Sequence, residues 1–351
     1  MTQVQLKAVR KEFGSFVALE HIDLDIQSGE LVALLGPSGC GKTTTLRMIS
    51  GLDNPTSGEI FFDGKDVSDV PVRDRNVGMV FQRYALFPHM SVEKNITFGL
   101  RVRNIPVEEV GERLEEILDI VQLTAFRDRF PAQLSGGQMQ RVAIARTLIT
   151  KPSVLMMDEP LANLDTNLRG EMRRFIRELQ QRFNITTIFV THDQVEAMEL
   201  SDRVAVLFDG RLEQFDTPDG IYHRPDKTSV AKFMGASNII DGVVADGALN
   251  TAFAELSVGD GGAFSAGSQV KAMVRSEAIR LLKQPETDVQ NQLSGTIRTA
   301  DFFGATVSYV VQVGDFELNV DEHSTEKLEP GTPVYLQLPR DRIWLFPDGT
   351  S

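Results

Sequence analysis

The sequence predicts a parallel α/β domain followed by a smaller all-β domain, and three observations carry that expectation. Through about residue 235, short β-rich runs alternate with segments of helical period, the pattern of a largely parallel sheet covered by helices. Within this region the run from Glu30 to Leu35 reads as a buried strand that feeds a glycine-rich turn, and a helix starts near Lys42. Beyond Ile239 the chain changes character, and glycine-rich turns separate short strands. The expected domains are residues 1–235 and residues 236–351.

The remaining elements follow in order. Val154 to Met157 reads as a second buried strand and Thr186 to Val190 as a third. Between Gln82 and Ser135 the pattern changes. Val110, Leu114, Ile117, Leu118 and Val121 fall at i, i+4, i+7, i+8 and i+11, one face of an amphipathic helix. Charged residues occupy its other face, which predicts a helical subdomain at about residues 83–150. Asp216-Thr217-Pro218 and His223-Arg224-Pro225 punctuate a hinge, and a short helical stretch runs on to Met234. Gln269–Val274, Gly295–Ala300, Thr306–Val313 and Val334–Leu338 read as short strands of a small barrel or sandwich.

Charge and composition narrow the function. The chain has 36 basic and 49 acidic residues, a net charge of −13. Residues 241–351 hold 8 of the basic and 16 of the acidic ones. A nucleic-acid binder shows a basic excess somewhere, and no basic block is present. The one cysteine excludes an internal disulfide framework. The longest apolar runs, such as Leu31-Val32-Ala33-Leu34-Leu35, are strand-sized, whereas a membrane-spanning helix needs about 20 apolar residues. Met1-Thr2-Gln3-Val4-Gln5 lacks the pattern of a secretory signal, so the expectation is a chain that does not cross a membrane by itself.

The turn after the first buried strand carries the clearest chemistry. Gly36-Pro37-Ser38-Gly39-Cys40-Gly41-Lys42-Thr43 has the G-x-x-x-x-G-K-[ST] spacing, in which glycines let backbone N–H groups approach phosphates closely. The helix that follows adds its positive end, with Thr44 in its first turn. Lys42 would reach the β- and γ-phosphates, and the Thr43 hydroxyl would ligate Mg²⁺. Cys40 is a small residue inside this loop, where a bulky thiol reagent would block the nucleotide. Asp158 follows four apolar strand residues and suits a Mg²⁺ ligand. Glu159, next to it, can polarise a water for attack on the γ-phosphate. An Asp–Glu pair alone fits a solvated turn or a helix N-terminus. The apolar strand before it and Pro160 after it instead place both carboxylates at a strand's C-terminal end, where open α/β sheets bind ligands.

Leu134-Ser135-Gly136-Gly137-Gln138 lies between the phosphate loop and the Asp–Glu pair. Pieces in this order resemble the ATP-binding subunit of an ABC transporter. The resemblance implies that Ser135, Gly136, Gly137 and Gln138 face the γ-phosphate of an ATP held by a second copy, and therefore a homodimer. Gln82 matches the family glutamine that touches Mg²⁺ or the attacking water. His192, in Val190-Thr191-His192-Asp193, matches the switch histidine that contacts the γ-phosphate. Leu161-Ala162-Asn163-Leu164-Asp165 matches the loop crossing the dimer centre, with Ala162 where serine is common. Phe13 aligns with the aromatic that stacks on adenine, although a core aromatic in the first strands is the competing reading. ATP and Mg²⁺ are the implied ligands.

Tyr84-Ala85-Leu86-Phe87-Pro88-His89-Met90 and the run from Thr191 to Met198 look like bacterial importer ATPases with a C-terminal TOBE-type, OB-like barrel. The resemblance implies a peripheral subunit on the cytoplasmic face of the inner membrane, two permease subunits and an external solute-binding protein. Phe233-Met234-Gly235-Ala236-Ser237-Asn238 looks closer to the polyamine and ferric-iron branch than to the sugar branch; glycerol-phosphate and sulfate systems belong to the same group. Ser276 stands where proline usually precedes Glu277, which leaves the ligand of that domain open. The rival reading is a soluble ABC ATPase acting on nucleic acid or ribosomes. Such chains usually carry two cassettes or basic inserts, and neither occurs here. No Asn-Lys-x-Asp motif supports a GTPase. A small-molecule kinase would need neither Ser135 nor His192. A regulatory role for the barrel, binding an effector, adds to the importer reading.

Overall fold

The structure, a computed structural model, describes residues 2–245, 247–259, 264–287 and 289–347. The chain forms two compact units that divide between Pro218 and Asp219. Elements are numbered along the chain.

The first unit contains two sheets. β1 (Val4–Phe13), β2 (Phe16–Ile26), β4 (Ser57–Phe62) and β5 (Lys65–Asp66) form an antiparallel sheet in the order β2-β1-β4-β5. The central sheet is built from β3 (Leu31–Leu35), β6 (Val77–Val80), β7 (Val154–Asp158), β8 (Thr186–Thr191), β9 (Arg203–Phe208) and β10 (Arg211–Asp216). Its order is β10-β9-β3-β8-β7-β6, parallel except for the antiparallel edge strand β10. All five residues of β3 and all six of β8 are buried, as strands covered on both faces must be.

Six helices accompany these strands: α1 (Lys42–Ser50), α2 (Val92–Val102), α3 (Val107–Ile120), α4 (Gly136–Leu148), α5 (Thr166–Phe183) and α6 (Gln194–Leu200). The apolar face read from the sequence is the buried face of α3: Val110, Leu114, Ile117 and Leu118 are all inside. The antiparallel sheet is the part the periodicity did not announce. Ala8 and His21 adopt left-handed backbone conformations, and the β1–β2 register slips on either side of Val9, which interrupts the two-residue alternation.

The second unit has two short helices, α7 (Pro218–His223) and α8 (Thr228–Phe233), before its strands. β11 (Asn238–Ala245), β12 (Ala248–Thr251), β13 (Glu255–Ser257) and β14 (Gln269–Val274) are followed by β15 (Arg280–Leu282), β16 (Gln292–Phe302) and β17 (Val307–Val313). β18 (Phe316–Glu322), β19 (Pro333–Gln337) and β20 (Ile343–Pro347) complete it. Two five-stranded antiparallel sheets, β13-β12-β11-β14-β20 and β15-β19-β16-β17-β18, enclose one core that includes Leu249, Tyr309 and Leu336.

The sequence boundary after residue 235 keeps α8 with the first domain, whereas in the structure it clusters with the strands. Arg275 donates to Met234 O at 2.5 Å and to Tyr222 O at 2.6 Å, and Trp344 Nε1 donates to Pro225 O at 3.0 Å. Those bonds tie the helical stretch to β14 and β20. No helix among the described residues is long and apolar enough to cross a membrane.

Candidate active site

The site begins where β3 ends. Its strand is fully buried, the turn from Gly36 to Gly41 follows, and α1 starts at Lys42. Gly41 caps α1 at φ 105°, and a Cβ there would lie 2.4 Å from Leu19 Cδ2. Glycine is therefore required by backbone and space together. No side chain caps α1, so its positive end is left for a ligand. Lys42 is buried and folds back over the loop, donating to Gly36 O at 2.7 Å and Pro37 O at 2.9 Å. Pro37, Ser38 and Gly39 are exposed along the turn, and Thr44 lies in the first turn of α1. Cys40 is buried and burial pushes its thiol up, so alkylation at this position will be slow in the folded chain.

A second cluster gathers at the C-terminal ends of the central strands. Asp158, the last residue of β7, accepts a hydrogen bond from Thr43 Oγ1 at 3.2 Å. Burial raises its carboxyl above the usual carboxylate range; the Thr43 bond opposes that rise and Glu159 adds to it. Glu159 sits in a left-handed conformation (φ 43°), and its N–H donates to Val190 O at 3.1 Å on β8. For a non-glycine residue that conformation costs on the order of 1–2 kcal/mol. It turns the carboxylate toward two partners: Gln82 Nε2 donates to Glu159 Oε2 at 3.2 Å, and His192 Nδ1 lies 3.3 Å from Oε1. A cavity of about 40 Å³ is lined by Glu159, Ala162, Thr191 and His192, and a space of that size admits a water.

Thus Thr43, Asp158, Glu159, Gln82 and His192 meet beside Lys42, although they lie far apart in sequence. Ser135, Gly136, Gly137 and Gln138 do not join them: no hydrogen bond among the described residues links that turn to the phosphate loop. Ser135 Oγ accepts from Gln138 N at 3.3 Å and Gln138 Oε1 accepts from Ser135 N at 3.0 Å, a capping box that starts α4. Asp165 similarly caps α5, accepting from Leu168 N at 3.0 Å. Phe13 ends β1 half exposed, with Lys11 Nζ 4.9 Å from its ring centroid, so the core-aromatic reading fails.

Several supporting contacts lie outside the sequence reading, and Arg146 and Arg169 are not named in it. Asn163 Nδ2 donates to Gln82 O at 2.7 Å. Arg146, in the last turn of α4, donates to Tyr84 O at 3.0 Å and Ala85 O at 2.7 Å, the carbonyls of two consecutive left-handed residues. Behind His192, Thr191 Oγ1 donates to Glu196 Oε2 at 2.6 Å, and burial raises the Glu196 carboxyl. Arg169 lies 3.6 Å from Asp193 and 3.7 Å from Glu196. No local spacing marks these contacts; only the fold assembles them.

Comparison with known proteins identifies the family. The ABC transporter family model matches residues 19–162, and the TOBE domain model matches residues 272–346. An Fe(3+) ions import ATP-binding protein, FbpC of Photobacterium profundum, is 43% identical over 349 residues, covering 96% of this chain and 98% of that protein. The chain belongs to the ABC import ATP-binding proteins. A spermidine/putrescine import ATP-binding protein, PotA of Oleidesulfovibrio alaskensis, is 46% identical over 315 residues, covering 88% of this chain and 84% of that one. Among solved structures, a dimeric ATP-binding cassette in a post-hydrolysis state with ADP and Pi shares 34% identity at a TM-score of 0.54, over 61% of this chain and 98% of that one. This ABC import ATP-binding protein is accordingly an ATPase whose hydrolysis powers uptake of a small solute.

Proposed function

We propose that two copies of the chain sandwich two ATP molecules, each held by the phosphate loop of one copy and the Ser135-Gly136-Gly137-Gln138 turn of the other. The observation that carries this reading is the connected set Thr43–Asp158 and Gln82–Glu159–His192, gathered beside the uncapped start of α1. In it Lys42 and the amides from Gly36 to Thr44 hold the phosphates. Glu159 takes a proton from the attacking water, while Gln82 and His192 orient that water and sense the γ-phosphate. Phe13 stacks on adenine, and Asp165 starts the helix behind the loop that crosses between the copies.

A hydroxyl and a carboxylate 3.2 Å apart make an all-oxygen donor pair, which suits a hard divalent cation. Thr43, Asp158 and Gln82 would hold Mg²⁺, which supplies charge neutralisation at the phosphates. Closure of the two copies drives two permease subunits from the cytoplasmic face of the membrane, supplied from outside by a solute-binding protein. The load is ferric iron, a polyamine or a related small ion, as relatives named for Fe(3+), spermidine/putrescine and sulfate/thiosulfate support; a sugar or glycerol phosphate is the alternative. The first unit acts as the nucleotide domain and the second as an accessory domain.

The test is recovery of tagged protein from detergent-solubilised native membranes, followed by mass spectrometry. A co-purifying permease supports the reading, and its own binding protein then identifies the load. Recovery of ribosomal or repair proteins alone would replace it with a soluble ABC ATPase.

A further inference from the structure

A cleft of about 960 Å³ in the second unit has a composition at odds with the acidic chain around it. Its walls include Arg224, Arg275, Arg280, Arg340, Arg342 and Trp344. Four of these arginines are among the eight Lys and Arg residues between positions 241 and 351, so half of that segment's basic residues line one hollow. The volume lies at the upper end of the range for small-molecule sites, roughly 300–1,000 Å³, and far exceeds one inorganic oxyanion.

The carboxylates in the cleft are already engaged. Glu277 accepts the Tyr222 hydroxyl at 2.6 Å, Asp219 lies 3.6 Å from His223, and Asp341 lies 3.8 Å from its neighbour Arg342. Among the arginines, Arg280 donates to Gln337 Oε1 at 2.5 Å and Arg342 meets Asp341. Arg280 also pairs with Glu286 at 3.3 Å, but the Arg340 guanidinium meets no acceptor among the described residues. Arg275 is 4% exposed; two of its nitrogens donate to the carbonyls of Met234 and Tyr222, and its Nε has no partner. Its guanidinium carbon stacks 3.8 Å from the centroid of the Tyr222 ring, and its neighbouring negative charge is Glu277, whose carboxylate already accepts the Tyr222 hydroxyl. Guanidinium forks match carboxylate and phosphate oxygens in geometry. Trp344, the one tryptophan of the chain, is anchored through its indole N–H to Pro225 O and offers a flat wall.

We propose that this cleft binds a small organic anion carrying at least two negative charges, its carboxylate or phosphate oxygens taken by Arg340, Arg342 and Arg275 and its body flanked by Trp344. Such an anion would report metabolic state to the ATPase, a consequence that rests on the function proposed above; the binding itself does not.

Trp344 supplies the probe. Full-length protein is titrated with citrate and with glucose 6-phosphate while tryptophan emission is recorded, with glucose and ionic-strength-matched sodium chloride as controls. The expected result is a saturable change with at least one of the two anions and with neither control. Arg340→Ala/Arg342→Ala, two exposed positions, should weaken it roughly tenfold or more, as expected for losing charge-assisted hydrogen bonds. No saturable change with either anion, or an equal one in the double variant, would overturn the proposal. ATP-dependent pairing of copies is measured on the same preparation. Pairing without an anion response removes the cleft proposal alone, and an anion response without pairing removes the paired-site reading alone.

Discussion

Two helices of the first unit start at glycine-rich turns and treat their exposed amides in opposite ways. α1 has no side-chain cap; Lys42 bends onto the loop's own carbonyls and Thr43 reaches Asp158. α4 is closed by Ser135 and Gln138, each bonded to the other's backbone. The first turn is therefore bonded to the Asp158 carboxylate and leaves its amides uncapped. The second is capped by its own side chains. Ser135 Oγ accepts from Gln138 N but still has a proton to donate. The contrast means that, on the function proposed above, one chain would hold two unlike half-sites, one open for phosphate and one closed by its own side chains.

Breaking the open half should have the largest effect. Glu159→Gln keeps the shape of the Gln82 and His192 contacts and removes the base. Turnover should fall by about 10²–10⁴-fold, while ATP-dependent pairing survives in sedimentation. Unchanged turnover would take Glu159 out of the reaction. The closed half is probed by Ser135→Asp, since aspartate caps a helix as well as serine does. Thermal stability should stay close to the parent, and hydrolysis should drop roughly 10²-fold, the scale for losing one positioned donor. Full activity in this variant would confine Ser135 to capping. Asn163→Ala frees the carbonyl of Gln82; one hydrogen bond is worth about 1 kcal/mol, so kcat should fall about fivefold with KM for ATP little changed.

The smallest effect is in pH. Burial raises Asp158, so its proton competes with Mg²⁺ at higher pH than it would at an ordinary carboxylate. The Mg²⁺ concentration for half-maximal hydrolysis should climb as pH falls toward that raised value, and Asp158→Asn should abolish the climb. The same sign governs stability without nucleotide. The contribution of this group is fully present below the ordinary carboxylate pKa and is lost as pH rises through the raised one.

The two halves also differ in how legible they were. The phosphate loop is eight contiguous residues between a buried strand and a helix, so spacing alone locates Lys42 and Thr43. The amphipathic face of α3 and the strand Gln269–Val274 are equally local signals. The hydrogen bonds from Asn163 to Gln82 and from Arg146 to Tyr84 and Ala85 span 61 to 81 positions, and nothing in the local pattern reports them. The antiparallel sheet was hidden by bulges near Ala8 and His21. In the second unit, Arg275 follows β14 while Arg340 and Trp344 belong to the segment of β20, so the cleft exists only once β14 and β20 are paired.

The central claim, that each ATP needs half-sites from two copies, is tested most directly by complementation. Lys42→Ala and Ser135→Arg are purified separately, shown to be inactive, and mixed. A mixed pair joins the intact phosphate loop of the second variant to the intact Ser135 turn of the first. Hydrolysis that appears only on mixing is the predicted result. Two inactive variants that stay inactive together, although they demonstrably pair, would contradict the account and place the whole site within one chain.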